Sequence, residues 1–215
     1  MRVYHLLSAK YGLEDLSKRR LKIAQLDDLN DPFELLSVEL SDKTQRTAFR
    51  RFANRMSERF GVICFSRDWH HPVLWSHYAE KHKGMCLGFD VPDNLLLSVS
   101  YSATRLPSKV KEDIDHSRLS ESVMRRILTT KFKGWKYEDE VRRLLPLEEK
   151  EKQSGFYFKK FSGALVLKEV ILGPRCTITR SDVTKQLGQD DSLVRIIQAR
   201  LAFKTFRVVK NRAAS

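Results

Sequence analysis

No apolar run in this 215-residue chain approaches the roughly eighteen residues that a membrane span needs. The opening MRVYHLLSAKYG also lacks a signal peptide's long apolar stretch and small-residue cleavage site, so the expected location is the cytoplasm, with no membrane partner. Cysteine is scarce. Cys64, Cys86 and Cys176 are an odd number at long spacing, which suits neither a disulfide framework nor a CxxC metal site and points to a reducing compartment. Nine glycines and six prolines exclude collagen-like and low-complexity architectures. The sequence contains no GxGxxG, no GxxxxGK[ST] and no HExxH, which argues against Rossmann, P-loop and zinc-peptidase sites. Internal repeats and a domain linker are also missing, so residues 1–210 are expected to form one domain and residues 211–215 a frayed tail.

What the chain has in excess is positive charge. Forty Lys and Arg against 27 Asp and Glu leave a formal charge of +13, which favours polyanionic partners, nucleic acid among them. The basic residues are scattered in pairs such as Arg50–Arg51 and Arg142–Arg143, and they become dense after Arg195. The bland alternative is a solvated basic exterior.

Periodicity predicts an α+β fold of mixed or mostly antiparallel sheets with helices packed around them. Val3–Leu7 reads as a strand, Ser8 as the cap of a helix through Leu13 and Leu16, and Leu21–Ala24 as a second strand. QLDDLNDPFE is a turn of fixed shape, because Pro32 has no N–H to give and Asp and Asn prefer local hydrogen bonds. Ser41 or Asp42 caps a helix carrying Phe49, Phe52, Met56 and Phe60 at spacings of three and four, which Gly61 stops, and VICF is a buried strand ending at Ser66. Pro72 opens a helix running PVLWSHYAEKH, followed by the strand MCLGFDV. A polar connection covers Ser102–Arg118, and Ser120 or Glu121 opens a helix through Val123, Ile127 and Leu128. WKYEDEVRRLL is ambiguous in period, LEEKEKQSG is a charged loop, and ALVLKEVILG is a strand near the core. Ser181 and Asp182 cap a short helix ended by Gly188, before the strands VRIIQARLAF and TFRVV.

Several of these segments carry chemistry. If WKYEDEVR is a strand, alternation places Glu138, Glu140 and Arg142 on one face, with Tyr137, Asp139 and Val141 on the other. Such a carboxylate pair is either catalytic or a salt-bridge ladder worth about 0–1 kcal/mol. The rigid loop NDPFE presents Asn30, Asp31 and Glu34, which either cap a helix or meet a ligand. On the helix from Pro72, the stripe Leu74, Trp75, Tyr78 and Ala79 is core, or else Trp75 or Tyr78 offers a flat face for stacking. Asp68, His70, His71, His77 and His82 cluster in sequence, but the spacing of His77 and His82 makes them diverge on a helix, so no metal is expected.

The pieces VYHL, LNDPFE, CFSRDWHHPVLWSHYAEKHKGMCLGFDV and WKYEDEVR followed by VILG resemble the bacterial domain-of-unknown-function family 2971. The order of these pieces also resembles the ADP-ribosyltransferase fold, in which three separated motifs surround NAD. That resemblance implies NAD as cofactor, His5 in the first motif, Ser66 or Tyr78 in the second, and Glu138 or Glu140 as catalytic carboxylate in the third. His5 would then donate to a ribose hydroxyl or the nicotinamide amide, Trp75 or Tyr78 would stack on the ring, and Arg142 would keep the carboxylate ionised. The function so implied is an NAD-using ADP-ribosyltransferase or NAD glycohydrolase acting on a nucleic acid or protein, in a setting such as phage defence or a toxin system. Two alternatives follow from charge: a metal-dependent nuclease, or a non-enzymatic basic nucleic-acid-binding protein.

Overall fold

The computed structural model describes residues 1–40, 42–106, 121–188 and 193–214. Ser41, Ser120 and most of the expected 102–118 connection lie outside the described residues. The chain opens with strand β1, Arg2–Leu7, and helix α1, Ala9–Lys18, whose first turn is capped by the Ser8 hydroxyl accepting from Tyr11 N. Strand β2, Arg20–Gln25, runs into a short 3-10 turn at Leu26–Asp28. Asp42 caps α2, Lys43–Arg59, accepting from the amides of Thr44 and Gln45. Phe49, Phe52 and Met56 are buried on its inner face, while Phe60 belongs to strand β3, Phe60–Ser66, so the helix ends two residues before the glycine expected to stop it.

Helix α3 is Pro72–Tyr78, shorter than the sequence predicts. Glu80, Lys81 and His82 all take left-handed φ values of 52°, 55° and 71°. This run turns the chain so that Gly84 N donates to Ala79 O and His82 N to Trp75 O. Tertiary contacts hold it, because each left-handed L-residue costs about 1–2 kcal/mol. Gly84 itself approaches Leu7 O so closely that a Cβ would collide. Strand β4, Met85–Asp90, follows, then β5, Leu97–Ser98, β6, Ser100–Ser102, and α4, Glu121–Thr129. Beyond α4 come β7, Thr130–Phe132, a 3-10 segment Lys133–Glu138, and β8, Glu140–Pro146. Strand β9, Tyr157–Lys160, was not foreseen, since its four residues abut the charged loop.

The last elements are β10, Val166–Leu172, α5, Arg180–Gln186, β11, Arg195–Leu201, and β12, Val208–Lys210. The cap of α5 is Thr179, with Asp182 completing a capping box, rather than Ser181. The expected frayed tail contains a 3-10 turn at Arg212–Ala214. Among the described residues no helix is long and apolar enough to cross a membrane.

Among the described residues ten strands join one mixed, mostly antiparallel sheet, as the α+β reading expects, in the order β12-β11-β10-β4-β1-β3-β2-β9, with β8 on the other edge of β3 and β5 beyond it. The β10–β11 pair in this sheet is parallel, as is the separate β6–β7 pair. Alternation along β3 sends Ile63 and Phe65 into a core shared with Leu16 of α1 and Val183 of α5. Val62 meets Phe49, Phe52, Ile127 and Leu128 of α2 and α4 on the opposite face. A third cluster packs Trp69, Trp75 and Ala79 on Cys86, Ile171 and Ile197.

The join between β1 and β3 positions the site. β8 pairs with β3 along its whole length, from Phe60↔Pro146 to Ser66↔Glu140. The other edge is shared: β2 takes Gly61 and Val62, and β1 pairs at Tyr4↔Ser66. Between these contacts the ladder is open, and the Cys64 carbonyl accepts instead from the His5 ring, whose Nδ1 lies at 2.9 Å.

Candidate functional site

The opening beside β3 leads into a cavity of about 110 Å³. Tyr4, His5 and Leu6 come from β1, Leu29, Asn30 and Glu34 from the loop after β2, and Cys64, Phe65 and Ser66 from the end of β3. Leu74 and Tyr78 of α3, Lys131 of β7, Glu138 and Glu140 complete the wall.

The carboxylates reach it by two different routes. Glu140 is the first residue of β8, whereas Glu138 ends the 3-10 segment, so the ambiguous stretch WKYEDEVR divides between the two and is not one alternating strand. Asp139 between them is left-handed at φ 42°, a conformation short polar side chains tolerate. Its carboxylate accepts from Arg67 at 3.0 Å, and its carbonyl accepts from the Arg67 amide. The 3-10 segment is fixed against α3 by rings: Tyr137 stacks on His71 with centroids 5.4 Å apart, and Trp135 and Tyr137 both meet His77 at about 6 Å.

At the centre lies Lys131, buried, its ammonium 2.6 Å from Glu138, 3.1 Å from Glu140 and 3.4 Å from Glu34. Arg142 stands behind them. It donates through Nε to Glu140 at 2.7 Å, through Nη1 and Nη2 to the two Glu34 oxygens at 2.9 and 2.6 Å, and to Leu128 O at 2.8 Å. The Tyr78 hydroxyl donates to Glu138 and accepts from Asn30 Nδ2 at 2.7 Å. Three carboxylates therefore face two cations. With all of them ionised, the cluster carries one net negative charge.

Burial and neighbours drive the two glutamates apart. Burial raises the Glu138 carboxyl above its ordinary value, with Lys131 opposing. Burial also penalises ionised Glu140, but Arg142 and then Lys131 overcome it and hold that carboxyl down to about 2. Burial likewise lifts the Tyr78 hydroxyl, and its hydrogen bond to Glu138 adds to the rise. Burial lowers the His5 ring against the effect of the Cys64 carbonyl. Because that carbonyl can only accept, Nδ1 carries the proton and Nε2 of the neutral ring is an acceptor. His5 is thus set to receive a hydrogen bond, which corrects the donor role expected for it. Burial keeps the Cys64 thiol protonated, so it is a poor nucleophile.

Of the residues the sequence put forward, His5, Asn30, Glu34, Ser66, Tyr78, Glu138 and Glu140 line this one cavity. Three do not. Trp75 is fully buried in the third core cluster, its Nε1 donating to Trp69 O at 2.6 Å, so its face is closed to a ligand and the stacking role is corrected. The Asp31 carboxylate accepts from Phe33 N and shapes the loop. Arg142 touches the carboxylates from outside and positions them. Ser66 Oγ donates to Asp68 O and accepts from Asp68 N, so its hydroxyl is engaged in turning the chain after β3. Sequence reasoning missed Lys131. Its only sign is a lysine between the apolar helix residues and the glutamates, and nothing in the spacing shows that its ammonium turns inward.

The histidine-rich stretch is occupied by packing: His70 pairs with Asp68 and stacks on Trp69, and His71 and His77 join the Tyr137 rings. Among the described residues no group of three or more His, Cys, Asp or Glu is arranged to hold a metal ion.

Residues 74–143 match the family described as Protein of unknown function (DUF2971). The family 2971 resemblance is thereby borne out over this stretch. It runs from Leu74 on α3 to Arg143 on β8 and so contains Tyr78, Lys131, Glu138, Glu140 and Arg142. His5, Asn30, Glu34 and Ser66, which the fold brings to the same cavity, lie before it. No curated protein and no solved structure matches the chain.

Proposed function

We propose that the cavity binds the nicotinamide end of NAD and that the protein is an ADP-ribosyltransferase-like enzyme or NAD glycohydrolase, with a nucleic acid or protein as acceptor. The observation that carries this reading is the convergence of His5, Tyr78, Glu138 and Glu140, from separated stretches of chain, on one small anionic cavity. Its apolar wall of Leu6, Leu29, Phe65 and Leu74 suits a flat ring, and the surplus negative charge suits the cationic ring of NAD. At about 110 Å³ it has room for a ring-sized group and leaves the rest of a dinucleotide outside.

When bound, NAD supplies a carbon–nitrogen bond whose cleavage sends the electron pair out with nicotinamide and leaves positive charge on the ribose. The chain's own groups meet that charge. Glu140, kept ionised by Arg142 and Lys131, is a preorganised anion. Glu138, with its carboxyl raised, is the better proton acceptor from an incoming water or acceptor hydroxyl. His5 Nε2 accepts from a ribose hydroxyl, and Asn30 and Tyr78 hold Glu138 in place. The metal-dependent nuclease fits less well, because the Lys131 ammonium sits among the three carboxylates where a divalent cation would sit.

The test is nicotinamide release from NAD by the purified protein in EDTA, with and without DNA, RNA or cell extract. Release is expected, falling about 100-fold or more in Glu138→Gln, with thermal melting showing that the variant is folded. NAD left intact under every condition, or turnover unchanged in a folded Glu138→Gln/Glu140→Gln variant, overturns the reading.

A further inference from the structure

The strongest exposed apolar feature lies away from the cavity, at the tip of the β11–β12 hairpin. Phe203 is 91% exposed and Phe206 97% exposed. A folded chain rarely leaves two aromatic rings so bare without a use for them. The hairpin is ordered: Ala199, Arg200 and Leu201 pair with Lys210, Val209 and Val208, and Ala202 N donates to Arg207 O at 2.9 Å. It is also fastened just beside the turn, where Val208 N donates to His70 O at 2.9 Å and Arg207 pairs with Asp68 at 2.8 Å. The rings are therefore presented by a rigid support.

Charge decides what they are presented to. From Arg195 to Lys210 the sequence holds five cations, Arg195, Arg200, Lys204, Arg207 and Lys210, and no carboxylate. The Arg200 guanidinium lies over the Phe203 ring, 4.7 Å from its centroid. A second copy of the chain would bring like charges together, which disfavours self-association through this tip. A partner that supplies anions and flat rings in alternation satisfies both features at once.

We infer that this hairpin tip is a docking surface for single-stranded nucleic acid, with Phe203 and Phe206 as stacking faces for unpaired bases and Arg200, Lys204 and Lys210 as phosphate contacts. Duplex is the poorer ligand, because its bases are already stacked on one another. The inference does not depend on NAD chemistry in the cavity.

It is tested by fluorescence anisotropy of the full chain with a labelled oligothymidylate, a mixed-sequence duplex as competitor, and a salt titration. Phe203→Ala/Phe206→Ala keeps every charge and is expected to weaken binding about tenfold or more with the salt dependence retained. Lys204→Gln/Lys210→Gln keeps the rings and is expected to make the slope of log affinity against log salt shallower by about 0.7 for each phosphate that is no longer neutralised. Both pairs are on the surface, so melting should match the parent. Arg207 is left intact because it anchors the hairpin. The inference is overturned if the parent prefers duplex, if the phenylalanine variant binds as the parent does, or if the parent ignores the oligonucleotide and sediments with phosphatidylserine vesicles instead.

Discussion

Two regions of this molecule use the same charged residues in opposite ways. In the cavity wall, Glu34, Lys131, Glu138, Glu140 and Arg142 have side chains no more than 6% exposed and answer one another at 2.6–3.4 Å. On α2, Arg50, Arg51 and Arg55 are exposed, with Phe49, Phe52 and Met56 on the helix's buried face. Inside, desolvation forces each charge to find a partner, so the geometry is over-determined. Outside, water and salt satisfy the charge, and the residues are free to act on the surroundings through their field. Residue type alone does not separate the two cases, because Arg142 and Arg50 differ in where the fold puts them.

The sharpest way to break this comparison is to strip one internal partner. Arg142→Ala leaves Glu34 and Glu140 buried without their guanidinium and should cost about 3–5 kcal/mol in urea unfolding. A loss below about 1 kcal/mol would mean that the cluster behaves like surface charge.

Acidity gives a second, smaller contrast. Glu140 titrates near 2 when folded, below its unfolded value, so its contribution is present above the ordinary carboxylate range and is lost as pH falls toward 2. Glu138 is shifted upward, so taking up its proton on acidification favours the folded state. Urea midpoints measured from about pH 6 to pH 3 should therefore fall less steeply in Glu140→Gln and more steeply in Glu138→Gln. Equal slopes in both would contradict the opposed shifts.

His5 tests the open ladder between β1 and β3. Its ring is held neutral by burial, so stability should decline as pH drops below about 6.5, where the unfolded ring takes up a proton first. His5→Ala also strands the Cys64 carbonyl and should cost about 1–3 kcal/mol at neutral pH, read by thermal unfolding. The weakest effect belongs outside: Arg50→Gln, Arg51→Gln or Arg55→Gln should each leave stability within about 0.5 kcal/mol.

Much of the fold was legible along the chain because it is written in local period. Phe49, Phe52 and Met56 mark α2, Asp42 its cap, and Pro72 the start of α3. Errors arose where distant contacts overrode the local pattern. The helix expected through His82 stops at Tyr78 because the left-handed run at Glu80–His82 is held by Arg175 N donating to His82 O, and Gly84 just after it is held by Gly173 N and by its close approach to Leu7. Strand β9 was missed because Tyr157–Lys160 is a strand only by pairing with Arg20–Ile23. Strand alternation would put Glu138 and Glu140 on one face, but the 3-10 segment that ends at Glu138 does not obey it. Both nonetheless reach the Lys131 ammonium, at 2.6 and 3.1 Å, with the left-handed Asp139 between them.

From residues alone came the positive excess, the missing phosphate and metal motifs, the order of most elements and the short list containing His5, Tyr78, Glu138 and Glu140. Tertiary structure alone decided that Trp75 is core, that Lys131 is the hub, and that Arg142 reaches Glu34 across 108 residues of chain. The reason is one of range. A helix face or strand edge is set by neighbours a few residues apart, whereas a buried charge cluster exists only once register and packing bring remote segments within hydrogen-bond reach.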